Sequence, residues 1–254
     1  MWRVVDARAA GTSHRGSQTG CQDRQAIRRV VSPDGVTTLV SVISDGAGSA
    51  ARADEGAQAV VDFLLDAATT ALTESSDLDA IADTTIHSWF ARLRDLLRQR
   101  SAGDEQRIGD FSATALLAVA GHHQTLCAQL GDGAIVLRTG PDSPFDVAIW
   151  PQNGEYVNET TFVTDPGAVE AVELYRCDQI DDLILFSDGL ERVAIDLQAK
   201  AAFGEFCVPL VRFVREASDN EQALAEQLQH FLESDRINAR TDDDKSLIVA
   251  CRLP

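Results

Sequence analysis

Strand-like and helix-like segments come in blocks along this chain, and that blocking restricts the folds open to it. Val4 to Ala9, Ile27 to Val31 and Thr37 to Ile43 are β-branched or alternating, with Ser32-Pro33-Asp34-Gly35 as the turn between the last two. Two amphipathic helices follow. In the first, Ala57, Val60, Val61, Leu64 and Leu65 recur at helical spacing, behind Asp54 and Glu55, whose negative charge suits a helix start. In the second, Ile81, Ile86, Trp89, Phe90, Leu93, Leu96 and Leu97 form the apolar stripe, closed by Arg98 and Arg100.

Strands return at Ala113 to Ala120, Leu126 to Leu130 and Ala134 to Arg138, punctuated by Gly121-His122-His123 and Gly131-Asp132-Gly133. Gly140 to Ile180 is less regular, interrupted by Pro141, Pro144, Pro151 and Pro166, with a short strand expected around Glu159 to Val163. Asp182 to Phe186 is an apolar strand. Two further helices are predicted over about Leu197 to Ala217 and Glu221 to Glu233, and Ser246 to Arg252 closes the chain as a strand. Strands that do not alternate singly with helices argue against a doubly wound parallel sheet. The order predicts an α+β chain of two mostly antiparallel sheets flanked by two helical pairs. With no internal repeat and no linker, residues 1–254 read as one domain.

Forty acidic against 22 basic residues give a net charge of −18, which repels phosphate backbones, so a nucleic-acid partner is not expected. Charge within the first six residues, at Arg3 and Asp6, is unlike a signal peptide, and no apolar run reaches membrane-spanning length, so no membrane association is expected either. Cys21, Cys127, Cys177, Cys207 and Cys251 are odd in number, with no CxxC pair. They read as reduced thiols of a cytoplasmic protein.

The aspartates carry the chemistry. Val40-Ser41-Val42-Ile43-Ser44-Asp45-Gly46 and Leu183-Ile184-Leu185-Phe186-Ser187-Asp188-Gly189 are each an apolar strand that ends in Ser-Asp-Gly. Gln129-Leu130-Gly131-Asp132-Gly133 repeats the device, and Thr241-Asp242-Asp243-Asp244-Lys245 puts three more carboxylates just before the last strand. A single Asp-Gly is ordinarily a turn. Carboxylates converging from several strand ends would repel one another unless a cation lay among them. Oxygen donors without His or Cys favour Mg²⁺ or Mn²⁺ over zinc. The residues therefore predict a binuclear carboxylate site that activates water for in-line phosphoryl hydrolysis.

Cys21-Gln22-Asp23, Ser44-Asp45-Gly46-Ala47-Gly48-Ser49, Ser112-Ala113-Thr114, Gly131-Asp132-Gly133, Phe186-Ser187-Asp188-Gly189 and Asp243-Asp244-Lys245-Ser246 follow one another in the order of the protein phosphatase 2C motifs. Each is weak alone, but together they span nearly the whole chain, and it resembles the short, single-domain bacterial members. That resemblance implies a four-layer α-β-β-α sandwich with metals between the sheet edges, and a flap-like insertion at about 141–178. It implies a serine/threonine protein phosphatase that uses a metal-bridging water, with phosphorylated substrates of a Ser/Thr kinase as partners. Asp45 resembles the carboxylate bridging two metals, the Gly46 carbonyl a ligand of the second, and Asp188 and Asp243 the remaining ligands of the first. Asp132, with Asp188, resembles a weaker third site. Asp23 resembles the residue that orients the water.

The chain also departs from the pattern. Gln18 stands about where the family often has a phosphate-gripping Arg, Arg15 is displaced, and Gln22 replaces a common carboxylate. Ala47 fills the slot of a His that may protonate the leaving oxygen in many members, a service worth on the order of a hundredfold in rate. His14, ahead of Asp23 in the chain, could replace that acid or the phosphate contact, or else be an ordinary loop histidine. Tyr156, Asn158 and Thr160 would share one side of a strand in the flap and face substrate, or else lie on an exposed hairpin. His87, His122, His123 and His230 read as packing or surface residues. Two other function classes compete: a phosphoprotein-binding module that keeps the fold with weak catalysis, and a metal phosphoesterase for small esters.

Overall fold

The computed structural model describes residues 1–13, 20–102, 107–152, 160–218 and 220–253. Its first elements are β1 (Trp2–Ala9), β2 (Arg24–Val31), β3 (Thr37–Ser44), α1 (Ala53–Glu74), α2 (Asp83–Ala102), β4 (Ala115–Ala120), β5 (Gln124–Leu130) and β6 (Ala134–Arg138). Then come β7 (Asp146–Ile149), β8 (Glu173–Asp178), β9 (Asp182–Phe186), α3 (Glu191–Ala194), β10 (Ile195–Asp196), β11 (Ala201–Ala202), α4 (Gly204–Glu216), α5 (Glu221–Leu232), α6 (Asp235–Asn238) and β12 (Lys245–Arg252). The class is α+β, with two five-stranded sheets ordered β1-β12-β9-β6-β7 and β2-β3-β4-β5-β8. Among the described residues β1–β12, β12–β9, β9–β6, β2–β3, β3–β4, β4–β5 and β5–β8 all pair antiparallel. The chain divides into two compact units, each holding one of the five-stranded sheets.

The unit formed by residues 22–133 and 149–179 holds β2 to β5, β8, α1 and α2. In α1, Ala57, Val60, Val61, Leu64, Ala68 and Leu72 are buried on one face, a repeat of three and four that presents a continuous apolar stripe. That stripe joins Val40, Val42, Leu117 and Val119 of the sheet and Phe90, Leu93 and Leu97 of α2 in one core. Each fully buried Leu or Val contributes roughly 1.5–3 kcal/mol. Gly56 allows α1 to press on the Phe111 backbone, where a Cβ would lie 2.2 Å from the carbonyl oxygen.

The other unit comprises residues 1–21, 134–148 and 180–254. Its edge strand β1 is covered: the Val4 N–H donates to Glu221 of α5 at 2.9 Å, and the Arg3 guanidinium donates to the Ala217 carbonyl at 2.7 Å. Fully buried Asp182 is held between Arg138, 2.6 Å away, and Arg215.

Two sequence-based expectations about elements are corrected. Leu197 to Lys200 is not helical. The Asp196 carboxylate accepts from the N–H groups of Gln198 and Ala199, both at 2.9 Å, and Lys200 takes φ 51°, so the chain makes a hairpin and α4 begins only at Gly204. The described part of the expected Glu159 to Val163 strand is not a strand either. Val163 makes one bond to the Ala113 carbonyl, and the Asp165 carboxylate turns the chain by accepting from Phe162. The irregular stretch instead contains β7 and β8, edge strands whose mixed burial gave no clear alternation.

Candidate metal centre

In the unit that holds α1, the motif residues gather at one end of one sheet. β2 and β3 pair with Arg24 opposite Ser44, β3 and β4 with Ile43 opposite Leu116, and β4 and β5 with Ala115 opposite Leu130. One or two steps beyond those pairs lie Asp23, Asp45, Thr114 and Gly131-Asp132. Antiparallel pairing alternates strand direction, so segments far apart in the chain deliver their turns to the same end.

Asp45 is half-buried, and its backbone is clamped. The Thr114 hydroxyl accepts from the Asp45 N–H at 3.0 Å, the Thr114 N–H donates to the Asp45 carbonyl at 2.8 Å, and the Ser44 hydroxyl donates to the Thr114 carbonyl at 2.6 Å. Ala47, buried, donates to the Ser112 carbonyl at 2.9 Å, which leaves Gly46 opposite Ala113 as an isolated bridge. In that arrangement the bonds run between the flanking residues, so the Gly46 N–H and C=O face away from Ala113. A Cβ on Gly46 would lie 2.7 Å from the Ala53 backbone, which is why glycine stands where α1 begins.

Three residues hold the Asp132 turn: Gln129 and Gln152, for which the sequence suggests no role, and Thr160. Gln129, fully buried, donates to the carbonyls of Gly133 at 2.9 Å and Trp150 at 3.2 Å, while Gln152 accepts from the Gly131 N–H at 2.8 Å. Gly131 has φ 108°, and a Cβ there would meet the Thr114 methyl at 2.6 Å. Thr160 donates its hydroxyl to the Asp132 carboxylate, so it braces this turn. Asp23 is fully buried. A polar glutamine inside the apolar run Leu126 to Leu130 was the available signal for Gln129.

In the other unit, β9 and β12 pair with Phe186 opposite Leu247, and the aspartates lie just past that end. Ser187 donates its N–H to the Ser246 carbonyl at 3.2 Å and its hydroxyl oxygen accepts from the Ser246 N–H at 2.9 Å. Asp188 opens a single 3₁₀ turn and is half-buried. Gly189 presses on Asp244, whose carbonyl oxygen would stand 2.0 Å from a Cβ. Asp243 is exposed and its carboxylate accepts from the Asp244 N–H at 2.8 Å. Asp244 is buried and accepts from the Gly11 N–H at 2.7 Å, while Ser13 donates to the Asp242 carbonyl. Lys245 is fully buried and donates to Asn238 at 2.9 Å, a second role the sequence reading missed.

The predicted sites His14, Arg15, Gln18, Tyr156 and Asn158 lie outside the described residues. His122 and His123 are exposed and stack edge-on, in keeping with a surface turn. Burial raises the Cys127, Cys177 and Cys251 thiols on strands, and pushes Cys207 on α4 up to about 12, so burial favours the thiol over the thiolate at all four.

The model of the protein phosphatase 2C family matches residues 10–233. The chain belongs to the protein phosphatase 2C family. It is 30% identical over 251 residues to serine/threonine-protein phosphatase 3 of Escherichia coli (strain K12), covering 98% of each chain. Solved protein phosphatase 2C-like structures share the fold. Serine/threonine phosphatase Stp1 from Staphylococcus aureus has a TM-score of 0.67 at 14% identity, covering 100% of this chain and 96% of that one. RsbX in complex with magnesium has a TM-score of 0.55 at 14% identity, covering 98% and 94%. Members of the protein phosphatase 2C family are metal-dependent, and the donors here fit such a group: half-exposed or exposed carboxylates at strand ends, and a glycine carbonyl turned from its neighbouring strand.

Proposed function

We propose that the chain is a metal-dependent serine/threonine protein phosphatase that hydrolyses phosphoserine and phosphothreonine in proteins by direct attack of water. The reading is supported above all by the delivery of Asp23, Asp45 and Asp132 to one end of a single sheet by register alone. Asp45, the Gly46 carbonyl, Asp188 and Asp243 would hold two Mg²⁺ or Mn²⁺ ions, with Asp132 and Asp188 serving a weaker third. Bound cations of this kind neutralise phosphate charge and lower the pKa of a water shared between them. Asp23 orients the attacking water from its buried position. His14 is assigned the acid that protonates the departing serine or threonine oxygen, a role Ala47 cannot fill.

The same proposal takes residues 1–254 as one catalytic domain, with about 141–178 as a flap over the substrate. The net charge of −18 argues against nucleic acid. Among the described residues no helix is long and apolar enough to cross a membrane, and none of the five cysteines is in a disulfide. We assign the protein to the cytoplasm on the cysteines.

The test is hydrolysis of a phosphothreonine peptide and of p-nitrophenyl phosphate with Mn²⁺, beside Asp188→Ala. Turnover is expected only with the metal, and at least about tenfold slower in the variant. Metal-independent turnover, or equal rates, would overturn the proposal. Loss of peptide hydrolysis with retained small-ester hydrolysis would point to the phosphoesterase reading.

A further inference from the structure

The helical face of the unit that carries Asp188 and Asp243 contains a cavity of about 610 Å³ with no part in the chemistry above. It opens among α3, α4, α5 and α6. Its apolar lining includes Phe206, Phe213 and Phe231, with the Phe206 and Phe231 rings 6.4 Å apart across the junction of α4 and α5. Around it stand Arg192, Arg236 and Arg240, all exposed.

These arginines lack the carboxylate partners that several others in the chain have. The chain has 40 acidic and 22 basic residues, and its other arginines repeatedly find carboxylates, as Arg24, Arg28, Arg52, Arg98 and Arg176 do. Among the described residues no guanidinium of Arg192, Arg236 or Arg240 has a hydrogen bond or ion pair. One carboxylate, Glu205, shares the lining. Three arginines and one carboxylate leave the lining net positive around an aromatic floor, which complements a molecule with an apolar body and an anionic head. The volume lies within the range that ordinary small-molecule sites occupy, and a few placed polar groups on an apolar wall is their usual pattern.

We propose that this cavity is a binding site for a small anionic amphiphile, an acyl or aryl body carrying one carboxylate. The body lies on Phe206, Phe213 and Phe231, and the carboxylate is taken by Arg236 and Arg240, with Arg192 across the mouth. The volume of the cavity sets the size of the ligand.

Titration with 1-anilinonaphthalene-8-sulfonate, an aryl body with one anionic group, reads the site by fluorescence without any assay of phosphatase activity. Saturable binding of one probe per chain is expected, displaced by decanoate and at least about tenfold less well by decanol. An Arg236→Gln/Arg240→Gln variant changes two exposed positions. With an unchanged thermal melt, it is expected to weaken both probe and decanoate about tenfold. Absence of saturable probe binding, equal displacement by decanol, or unchanged affinity in the variant would each overturn the proposal. So would displacement by an acidic amphipathic peptide at concentrations where decanoate fails, which would mark the face as a protein contact.

Discussion

Thr114 holds Asp45 from two sides, accepting from its N–H at 3.0 Å through the hydroxyl and donating to its carbonyl at 2.8 Å through the backbone. The Thr114 methyl also lies against Gly131, so one side chain spans the turns that carry Asp45 and Asp132. Thr114→Val keeps the shape and removes the hydroxyl. It leaves the Asp45 N–H unpaired at a cost of about 1–3 kcal/mol. Manganese titrations of turnover are expected to show weaker metal dependence by about tenfold, while Thr114→Ser retains most of the wild-type affinity. Unchanged affinity in the valine variant would remove Thr114 from the positioning of Asp45.

Gly189 has no room for a methyl group, because the Asp244 carbonyl oxygen occupies its place. Gly189→Ala must separate the Asp188 turn from the start of β12, at a cost of about 1–3 kcal/mol or more. Urea unfolding should record that loss, and isothermal titration should record weaker Mn²⁺ binding. By contrast Gly48→Ala, with open space around its Cβ, is expected to leave both unchanged.

Asp182 is fully buried between two arginines and lies at the opposite end of β9 from Asp188. Asp182→Ala strands Arg138 and Arg215 beside an apolar sheet, which typically costs about 3–5 kcal/mol. Denaturant unfolding should shift by that amount. An undiminished midpoint would show that water compensates the arginines.

The thiols give a pH prediction. Burial, offset slightly by Arg138, raises Cys207 from 9.0 to about 12. Between those values the unfolded chain has lost a proton that the folded chain keeps, so stability falls as pH rises. The slope approaches about 1.4 kcal/mol per pH unit for each such thiol. Cys207→Ala should flatten the decline of the thermal midpoint above pH 9. Native protein should also react quickly with a thiol reagent at no more than Cys21 and Cys177, and at all five cysteines once unfolded.

The strand-end positions of Asp45 and Asp188 could be read from the sequence, since each follows a short apolar run and precedes glycine. A strand that ends in a rigid turn leaves that signature in consecutive residues. The supports of Asp132 left almost none: Gln129 acts on Gly133 and Trp150, and Gln152 comes from another segment. The α4 boundary was misplaced because Asp196 and Lys200 form a hairpin inside a run of good helix formers.

What the sequence by itself determined is the class of the protein: strand and helix blocks set by hydrophobic period, and the order of six aspartate-bearing or threonine-bearing motifs. Asp45 in particular was legible as a carboxylate presented by a strand end. Tertiary structure alone decided what holds it, since register brings Thr114 opposite Asp45 across 69 residues of chain. Local pattern reports which residues are apolar and how often. Hydrogen bonds between distant segments depend on strand pairing, which no single segment encodes.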